Sequence, residues 1–218
     1  MHVAIISDVH CSGERCSRQR EFVAWLDSLT ADALWLLGDV FHAGWDFRPR
    51  EQPEYVHVLE ALERLASRGT GIVFVPGNHD FGMSGLLKER LGAEVVGPHV
   101  REIDDRRVFL AHGDEADGSM RYRLVRAVLR SSVFDVAVRG LGVRLGTKVL
   151  RTLAGDSSPH GEVWPSTKQW LMSQLEHADI AIIGHVHTPW SEGGAVTLAP
   201  GVSGARWLID GQLTERPD

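Results

Sequence analysis

Five short apolar runs divide this chain, and polar residues follow each of them. The runs lie at 3–7, 33–37, 72–75, 108–111 and 180–183. They are nearly free of polar residues, which is typical of strands buried on both faces of a sheet. Helical spacing of apolar residues separates the first three runs, at 20–29 and 55–66. Alternating strands and helices predict an α/β (α+β) fold with a largely parallel sheet.

The residues that follow the five runs are rich in Asp, Asn and His. In open α/β sheets, ligands bind outside the carboxyl ends of the strands, so these side chains are expected to meet at one edge. One such residue would indicate only a turn, but five independent turns would not all select side chains that bind metals. The predicted set is Asp8, His10, Asp39, Asn78, His112, His185 and His187.

The predicted set has a defined metal chemistry. Imidazole nitrogens and carboxylate oxygens without thiolates suit Mn²⁺, Fe or Zn²⁺ better than Ca²⁺ or Cu⁺. The set is too large for one ordinary ion and sufficient for two ions that share a carboxylate. Two ions about 3.5–4 Å apart can clamp a phosphoryl group and activate a water molecule. We therefore predict two divalent ions, with Mn²⁺ first and Fe or Zn²⁺ as alternatives.

Composition limits the class of protein. The chain has 218 residues, 43% of them hydrophobic, and a net charge of -6, which fits a single domain spanning 1–218.

Cys11 and Cys16 give no disulfide framework, so a reducing compartment is expected. No apolar run has the length of a membrane span, and the opening MHVAIIS is typical of a strand and not of a signal peptide. We expect a cytoplasmic protein, with surface contact to a membrane left open.

Residues 121–151 contrast with this acidic composition, since they hold eight Lys or Arg and one acid, Asp135. We predict two basic amphipathic helices within an inserted segment, 119–155, separated near Gly140 and Gly142. Three interpretations stay open: packing on the body with solvated arginines, a nucleic-acid patch, which the scarcity of aromatic residues disfavours, or a lid over a lipid that rests on an anionic membrane. The stripes are Arg123, Arg126 and Arg130, then Arg144, Lys148 and Arg151.

Five ordered motifs resemble those of the calcineurin-like metallophosphoesterases. They are Asp8-Val9-His10, Gly38-Asp39, Gly77-Asn78-His79-Asp80, His112-Gly113 and Gly184-His185-Val186-His187. The resemblance implies two packed β-sheets flanked by helices. The end of the chain agrees, because AVTL, ARWLI and QLTE are typical of strands and Asp210-Gly211 of a hairpin turn.

The resemblance also implies a role for each residue. Asp8, His10 and His187 would hold the first ion, and Asn78, His112 and His185 the second. Asp39 would bridge them. His79, paired with Asp80, would lie near the leaving group as general acid or stabiliser of the transition state.

Two stretches, HGDEADGSMRYRLVRAVLRS and GDVF with Trp45-Asp46, are similar to the UDP-2,3-diacylglucosamine diphosphohydrolases of lipid A biosynthesis. That likeness implies cleavage of a UDP-linked diacyl sugar to UMP and 2,3-diacylglucosamine 1-phosphate, beneath a helical lid at the inner membrane. The best-known branch has Arg where this chain has His79. Other interpretations are a metallophosphoesterase acting on a soluble phosphodiester, nucleotide or phosphoprotein, and a non-catalytic scaffold. Expected substrate contacts are Asn78, His79, Tyr122, Arg126, Ser157, Ser158 and His160.

Overall fold

Two β-sheets and seven α-helices make up the described part of the chain, residues 1–48, 51–80, 82–117, 119–154 and 163–215 of a computed structural model. Side chains at 121–123, 125, 126 and 154 lie outside this description. The strands are β1 (His2–Ile6), β2 (Ala33–Leu36), β3 (Gly71–Phe74), β4 (Glu94–Val95), β5 (His99–Ile103), β6 (Arg106–Ala111), β7 (Ile180–Ile183), β8 (Trp190–Glu192), β9 (Ala195–Thr197), β10 (Arg206–Ile209) and β11 (Gln212–Thr214). The helices are α1 (Ser17–Ser28), α2 (Val56–Ser67), α3 (Ser84–Leu91), α4 (Met120–Leu129), α5 (Ser132–Gly140), α6 (Gly142–Ala154) and α7 (Pro165–Gln174).

Both sheets are mixed, with parallel strands at their centres. The first sheet has the order β11-β10-β1-β2-β3-β4. In it, β1 to β4 run parallel, β10 runs antiparallel to β1, and β11 runs antiparallel to β10. The second has the order β5-β6-β7-β9-β8, with antiparallel strands only at its two edges. The prediction of two packed sheets flanked by helices is therefore confirmed.

Alternation along the strands produces the layers. In β1, Val3 and Ile5 belong to the core between the two sheets, whereas Ala4 and Ile6 belong to the core beneath α1 and α2. In β6, Phe109 faces the helical side and packs with Leu171 of α7. Because successive side chains of a strand point to opposite faces, strands apolar at every position require cover on both sides.

The five predicted strands agree with the structure to within two residues at each end, a margin that any assignment of ends carries. The predicted helices at 20–29 and 55–66 correspond to α1 and α2. The terminal hairpin is also present, with Asp210 at φ 48° and Gly211 at φ 75° between β10 and β11. Two successive positive φ angles are what a tight hairpin turn requires.

The prediction of two helices in the basic segment is wrong, because the structure has three: α4, α5 and α6. The expected break near Gly140 and Gly142 is present, and a further break separates α4 from α5. There the hydroxyl of Ser131 accepts a hydrogen bond from the backbone N–H of Phe134 at 3.2 Å. Serine at an N-cap satisfies an otherwise unpaired amide, so it starts a new helix.

The helices α5 and α6 pack against the loop that follows β2. Trp45 and Phe47 of this loop form a small apolar cluster with Val138 and Leu150. The Trp45 Nε1–H donates to Asp135 Oδ1 at 2.9 Å, which adds a polar tie between the loop and α5. No helix in the described ranges is long and apolar enough to cross a membrane. The segment from α4 to α6 is called the helical segment below.

Candidate metal centre

The predicted ligands converge because each follows the carboxyl end of a central strand. The loops after β1 and β2 are joined by the bond from the Asp8 N–H to the Gly38 carbonyl, at 3.0 Å. Those after β6 and β7 are joined by the bond from the Gly184 N–H to the His112 carbonyl, at 2.9 Å. Parallel strands end at the same edge, so the loops of both sheets meet there.

One cluster consists of Asp8, His10 and His187, whose potential ligand atoms all lie within 4.8 Å of one another. The His187 Nε2 lies 3.0 Å from Asp8 Oδ1 and 3.1 Å from His10 Nε2. Two imidazoles and one carboxylate at this spacing form a set that a divalent ion of the Mn²⁺, Fe or Zn²⁺ type accepts.

A second cluster consists of Asp39, His112 and His185, again within 4.8 Å. The His112 Nε2 lies 3.3 Å from Asp39 Oδ2 and 3.2 Å from Asn78 Oδ1, so the amide oxygen belongs to the same group. The other ring nitrogen of His112, Nδ1, lies 2.8 Å from the Leu37 carbonyl. A bond of this kind from Nδ1–H fixes the tautomer in which Nε2 can coordinate an ion.

Asp39 lies between the two clusters. Its Oδ2 is 4.0 Å from His10 Nε2 in one and 3.3 Å from His112 Nε2 in the other. Its Oδ1 accepts a hydrogen bond from the backbone N–H of His79 at 2.9 Å, which holds the carboxylate in place. This is the position that a carboxylate shared by two ions requires.

The backbone at this edge is strained. Five of the seven predicted ligands have left-handed φ angles between 51° and 65°: Asp8, His10, Asp39, His185 and His187. Such a conformation costs a non-glycine residue about 1–3 kcal/mol and persists where surrounding structure imposes it. Gly77 is part of that structure, because a Cβ there would overlap the Asp39 carboxylate. Strain concentrated on these positions is typical of a functional site.

The acids of the clusters are held in their charged form. Burial alone would raise the pKa of Asp8, but the hydrogen bond with His187 and the charge of His112 lower it. Burial would likewise raise the pKa of Asp39, and the charge and hydrogen bond of His112 outweigh it and lower that pKa. Both carboxylates are therefore ionised at neutral pH, as ligands of a divalent ion must be.

The histidines divide into two kinds. Burial lowers the pKa of His10 to about 4 and that of His185 to about 4, so both rings are neutral at pH 7 with a free lone pair. Burial would also lower the pKa of His112, but Asp39 and Asp8 outweigh it and raise that pKa well above its usual value. His112 therefore holds a proton where an ion would bind. The donor set fits two divalent ions, one of which must displace this proton.

Asp80 has contacts that differ from the expected pairing with His79. Its Oδ2 accepts hydrogen bonds from the backbone N–H groups of Val40 (2.7 Å) and Phe41 (3.2 Å), and its Oδ1 accepts one from Gly77 (3.0 Å). Burial, with the charge of Asp39, raises its pKa to about 7. Asp80 thus ties two loops together through their backbone amides.

His79 lies beside Asp39 and has a partner that sequence analysis missed. Its Nδ1 lies 2.9 Å from the backbone carbonyl of His42, and its Nε2 lies 3.8 Å from Asp39 Oδ2. One ring nitrogen each of His10, His42 and His79 fall within 4.8 Å. The available signal was a histidine three residues after Asp39 in the same loop.

The expected substrate contacts divide into those that the structure describes and those that it does not. Asn78 and His79 lie at the clusters. Tyr122 and Arg126 are on α4, but the structure does not describe their side chains. Ser157, Ser158 and His160 lie outside the described residues. These five contacts stay predictions.

Comparison with known proteins assigns the chain to a family. The sequence profile of the calcineurin-like phosphoesterase family matches residues 1–189. This chain is a calcineurin-like phosphoesterase. The family match and the hydrolase names of its relatives identify it as a metal-dependent phosphohydrolase.

The phosphoesterase is similar to proteins named UDP-2,3-diacylglucosamine hydrolase. It is 29% identical to that of Chromohalobacter salexigens over 204 residues, which cover 87% of this chain and 81% of the relative. It is 31% identical to that of Pseudomonas putida over 159 residues, which cover 71% and 66%. Among solved structures, a novel archaeal phosphodiesterase matches with a TM-score of 0.45 and 15% identity, over 98% of this chain and 97% of that one.

Proposed function

We propose that this phosphohydrolase cleaves the diphosphate of UDP-2,3-diacylglucosamine and releases UMP and 2,3-diacylglucosamine 1-phosphate, a step of lipid A biosynthesis. The observation that carries the chemistry is the pair of Asp/His clusters around Asp39. The names of the relatives support the choice of lipid. A non-catalytic scaffold is disfavoured, because each predicted ligand is present and buried polar groups without a use are costly.

Each cluster would hold one divalent ion, and Mn²⁺ is the ion we propose first, with Fe or Zn²⁺ also suited to the donors. Asp8, His10 and His187 would hold the first ion, and Asn78, His112 and His185 the second. Asp39 would serve both. Bound at this edge, the two ions would polarise a phosphoryl oxygen and supply a nucleophile from water at neutral pH.

His79 would assist the leaving oxygen. Its Nδ1 is held by the His42 carbonyl, so Nε2 is the nitrogen that faces the clusters beside Asp39. Protonated at Nε2, the ring can donate a hydrogen bond or the proton itself to the oxygen that departs from phosphorus. Asp80 would act indirectly, since it fixes the loops that carry Asp39 and His79.

The helical segment would act as the lid over the lipid. Met120 and Leu124 of α4 are 77% and 66% exposed, and Val133 and Val136 of α5 are 79% and 69% exposed. Exposed apolar faces of this kind mark surfaces that bind a partner or a lipid. The acyl chains would lie against these faces.

The same segment would contact the membrane from the cytoplasmic side. Arg139, Arg144 and Lys148 are exposed beside the apolar residues of α5 and α6. A helix with basic residues next to an apolar face can rest on an anionic lipid surface without spanning it. We propose such peripheral contact, and no nucleic-acid partner.

The substrate is tested by phosphate-product analysis. Protein with Mn²⁺ is offered UDP-2,3-diacylglucosamine and, separately, bis-p-nitrophenyl phosphate. We expect UMP from the lipid and little turnover of the generic ester. Turnover of the generic ester alone would retain the metal chemistry and discard the lipid, in favour of a soluble phosphodiester, nucleotide or phosphoprotein.

A further inference from the structure

The ring of His42 lies against the ring of His79. Their centroids are 5.4 Å apart and their planes differ by 28°, which is a stacked arrangement. His10 contacts the same ring edge-on, with centroids 5.0 Å apart and planes at 87°. The imidazole of His79 is thus covered on its face by one histidine and bordered by another.

The backbone of His42 fixes a different property of His79. The Nδ1–H of His79 donates to the His42 carbonyl at 2.9 Å, and the Gly44 N–H donates to the His79 carbonyl at 3.0 Å. This bond sets which nitrogen carries the proton and leaves Nε2 toward Asp39. A single hydrogen bond, however, still lets the ring rock about the donor–acceptor line. The stacked ring of His42 opposes that motion.

We propose that His42 is a positioning residue for His79. Its ring holds the imidazole plane of His79 so that Nε2 stays beside Asp39, where the leaving oxygen departs. The proposal rests on the role given to His79 in the proposed function. Small errors in the placement of a reacting group are costly, up to about 10²-fold in rate for a displacement of about 1 Å.

A cation held by His10, His42 and His79 is the competing interpretation, because their nitrogens lie within 4.8 Å of one another. Two contacts favour positioning. The Nδ1 of His79 is engaged by a carbonyl. The Nε2 of His10 faces the first cluster, 3.1 Å from His187 Nε2 and 3.9 Å from Asp8 Oδ1. An ion on the three histidines would draw His10 away from that cluster.

The test uses release of UMP from UDP-2,3-diacylglucosamine with Mn²⁺, and bound ions are counted for every variant. His42→Ala removes the ring and keeps the backbone carbonyl, so it isolates the stacking contact. We expect kcat to fall about tenfold with KM within about twofold, since ground-state binding is untouched. His42→Phe restores a flat ring and is expected to recover kcat to within about threefold. The ion count stays at the wild-type value throughout.

A double-mutant cycle supplies the decisive comparison. If His42 acts through His79, the variant His42→Ala/His79→Ala has the kcat of His79→Ala alone, because residues that act as a unit are not additive. Multiplied losses would overturn the proposal, as would a wild-type kcat for His42→Ala. Loss of a bound ion in both His42→Ala and His42→Phe would also overturn it, in favour of a ligand role.

Two controls separate this inference from its premise. If His79→Ala keeps the wild-type kcat, the role of His79 in the proposed function fails before His42 is considered. If His42→Ala does not fold, His42→Gln against His42→Phe answers the same question, because both fill the space and only Phe supplies a ring. Equal kcat values in those two variants would overturn the proposal.

Discussion

The edge of the sheets that carries the predicted ligands, called the metal edge below, differs from the helical segment in how its side chains are packed. At the edge, the residues Asp8, Asp39 and His112 are at most 1% exposed and are tied by hydrogen bonds to neighbouring motifs. In the helical segment, Val133 and Leu124 are 79% and 66% exposed. The first region buries these charged and polar groups, whereas the second leaves several apolar side chains exposed to solvent.

Under the proposed function, the metal edge carries out the chemistry and the helical segment recognises the substrate. Buried, mutually bonded ligands need no partner to keep their geometry, and the strained φ angles persist because the surroundings impose them. Exposed apolar residues stabilise the protein only when a ligand, a membrane or a partner covers them and removes them from water. Changes at the edge are therefore expected to affect every substrate, and changes at the helical segment only a substrate that reaches it.

Asp39→Ala is the strongest way to test the edge. Removing the carboxylate between the clusters is expected to lower kcat by at least about 10³-fold, near the upper end of losses for one group that stabilises charge in the transition state. Ion content, measured by elemental analysis, falls with it. The control is Asp27→Ala, which removes only a surface pair with Arg64. Retained activity with full metal content would contradict the shared-ligand assignment.

His79→Ala separates ion binding from turnover. We expect kcat to fall about 10²-fold, the lower range for loss of a general acid, with the ion content unchanged. His57→Ala, which changes an exposed histidine of α2, is the matched control. The kinetics of UMP release from UDP-2,3-diacylglucosamine measure the effect. An unchanged kcat would remove His79 from the mechanism.

Val133→Glu/Val136→Glu tests the opposite region. Both side chains are exposed, so folding is spared, while apolar and anionic ligands are both repelled. We expect kcat/KM for UDP-2,3-diacylglucosamine to fall at least about tenfold, since covering even one such side chain contributes about 1.5–3 kcal/mol. Hydrolysis of bis-p-nitrophenyl phosphate stays within about twofold of wild type.

The matched variant Val133→Gln/Val136→Gln distinguishes polarity from charge. A loss shared by both pairs points to the apolar contact, and a loss confined to the Glu pair points to repulsion from an anionic surface. Equal losses on the lipid and on the generic ester would show that the helical segment does not select the substrate.

The smallest expected effect is a pH dependence of ion binding. The pKa of His112 is raised in the metal-free protein, so this ring holds a proton at pH 7 that an ion must displace. Ion affinity is therefore expected to rise with pH until pH exceeds that pKa, and then to level off. Calorimetry in two buffers of different ionisation enthalpy measures the released proton. No proton release from pH 6 to 8 would contradict the assignment of the proton to His112.

Local sequence patterns were sufficient for much of this structure. The five apolar runs correspond to five strands, and the predicted ligands lie directly after the ends of those strands. Both features could be predicted because strand formation and turn conformation depend on neighbouring residues. The third helix of the basic segment was also within reach, since Ser131 is a local start signal. The overlooked β4, β5 and β8 are short or lie at sheet edges, where patterns are weak.

The sequence by itself determined the ordered motifs, the type of ligand at each strand end and therefore the family. Only the tertiary structure decided which partners those residues have. Asp80 bonds to amides of the loop after β2, and His42 stacks on His79, because the packing of two sheets brings distant loops together. It also decided which faces of α4 and α5 remain exposed. Contacts between residues far apart in the chain depend on how strands and helices pack, and the hydrophobic periodicity of the sequence does not specify that packing.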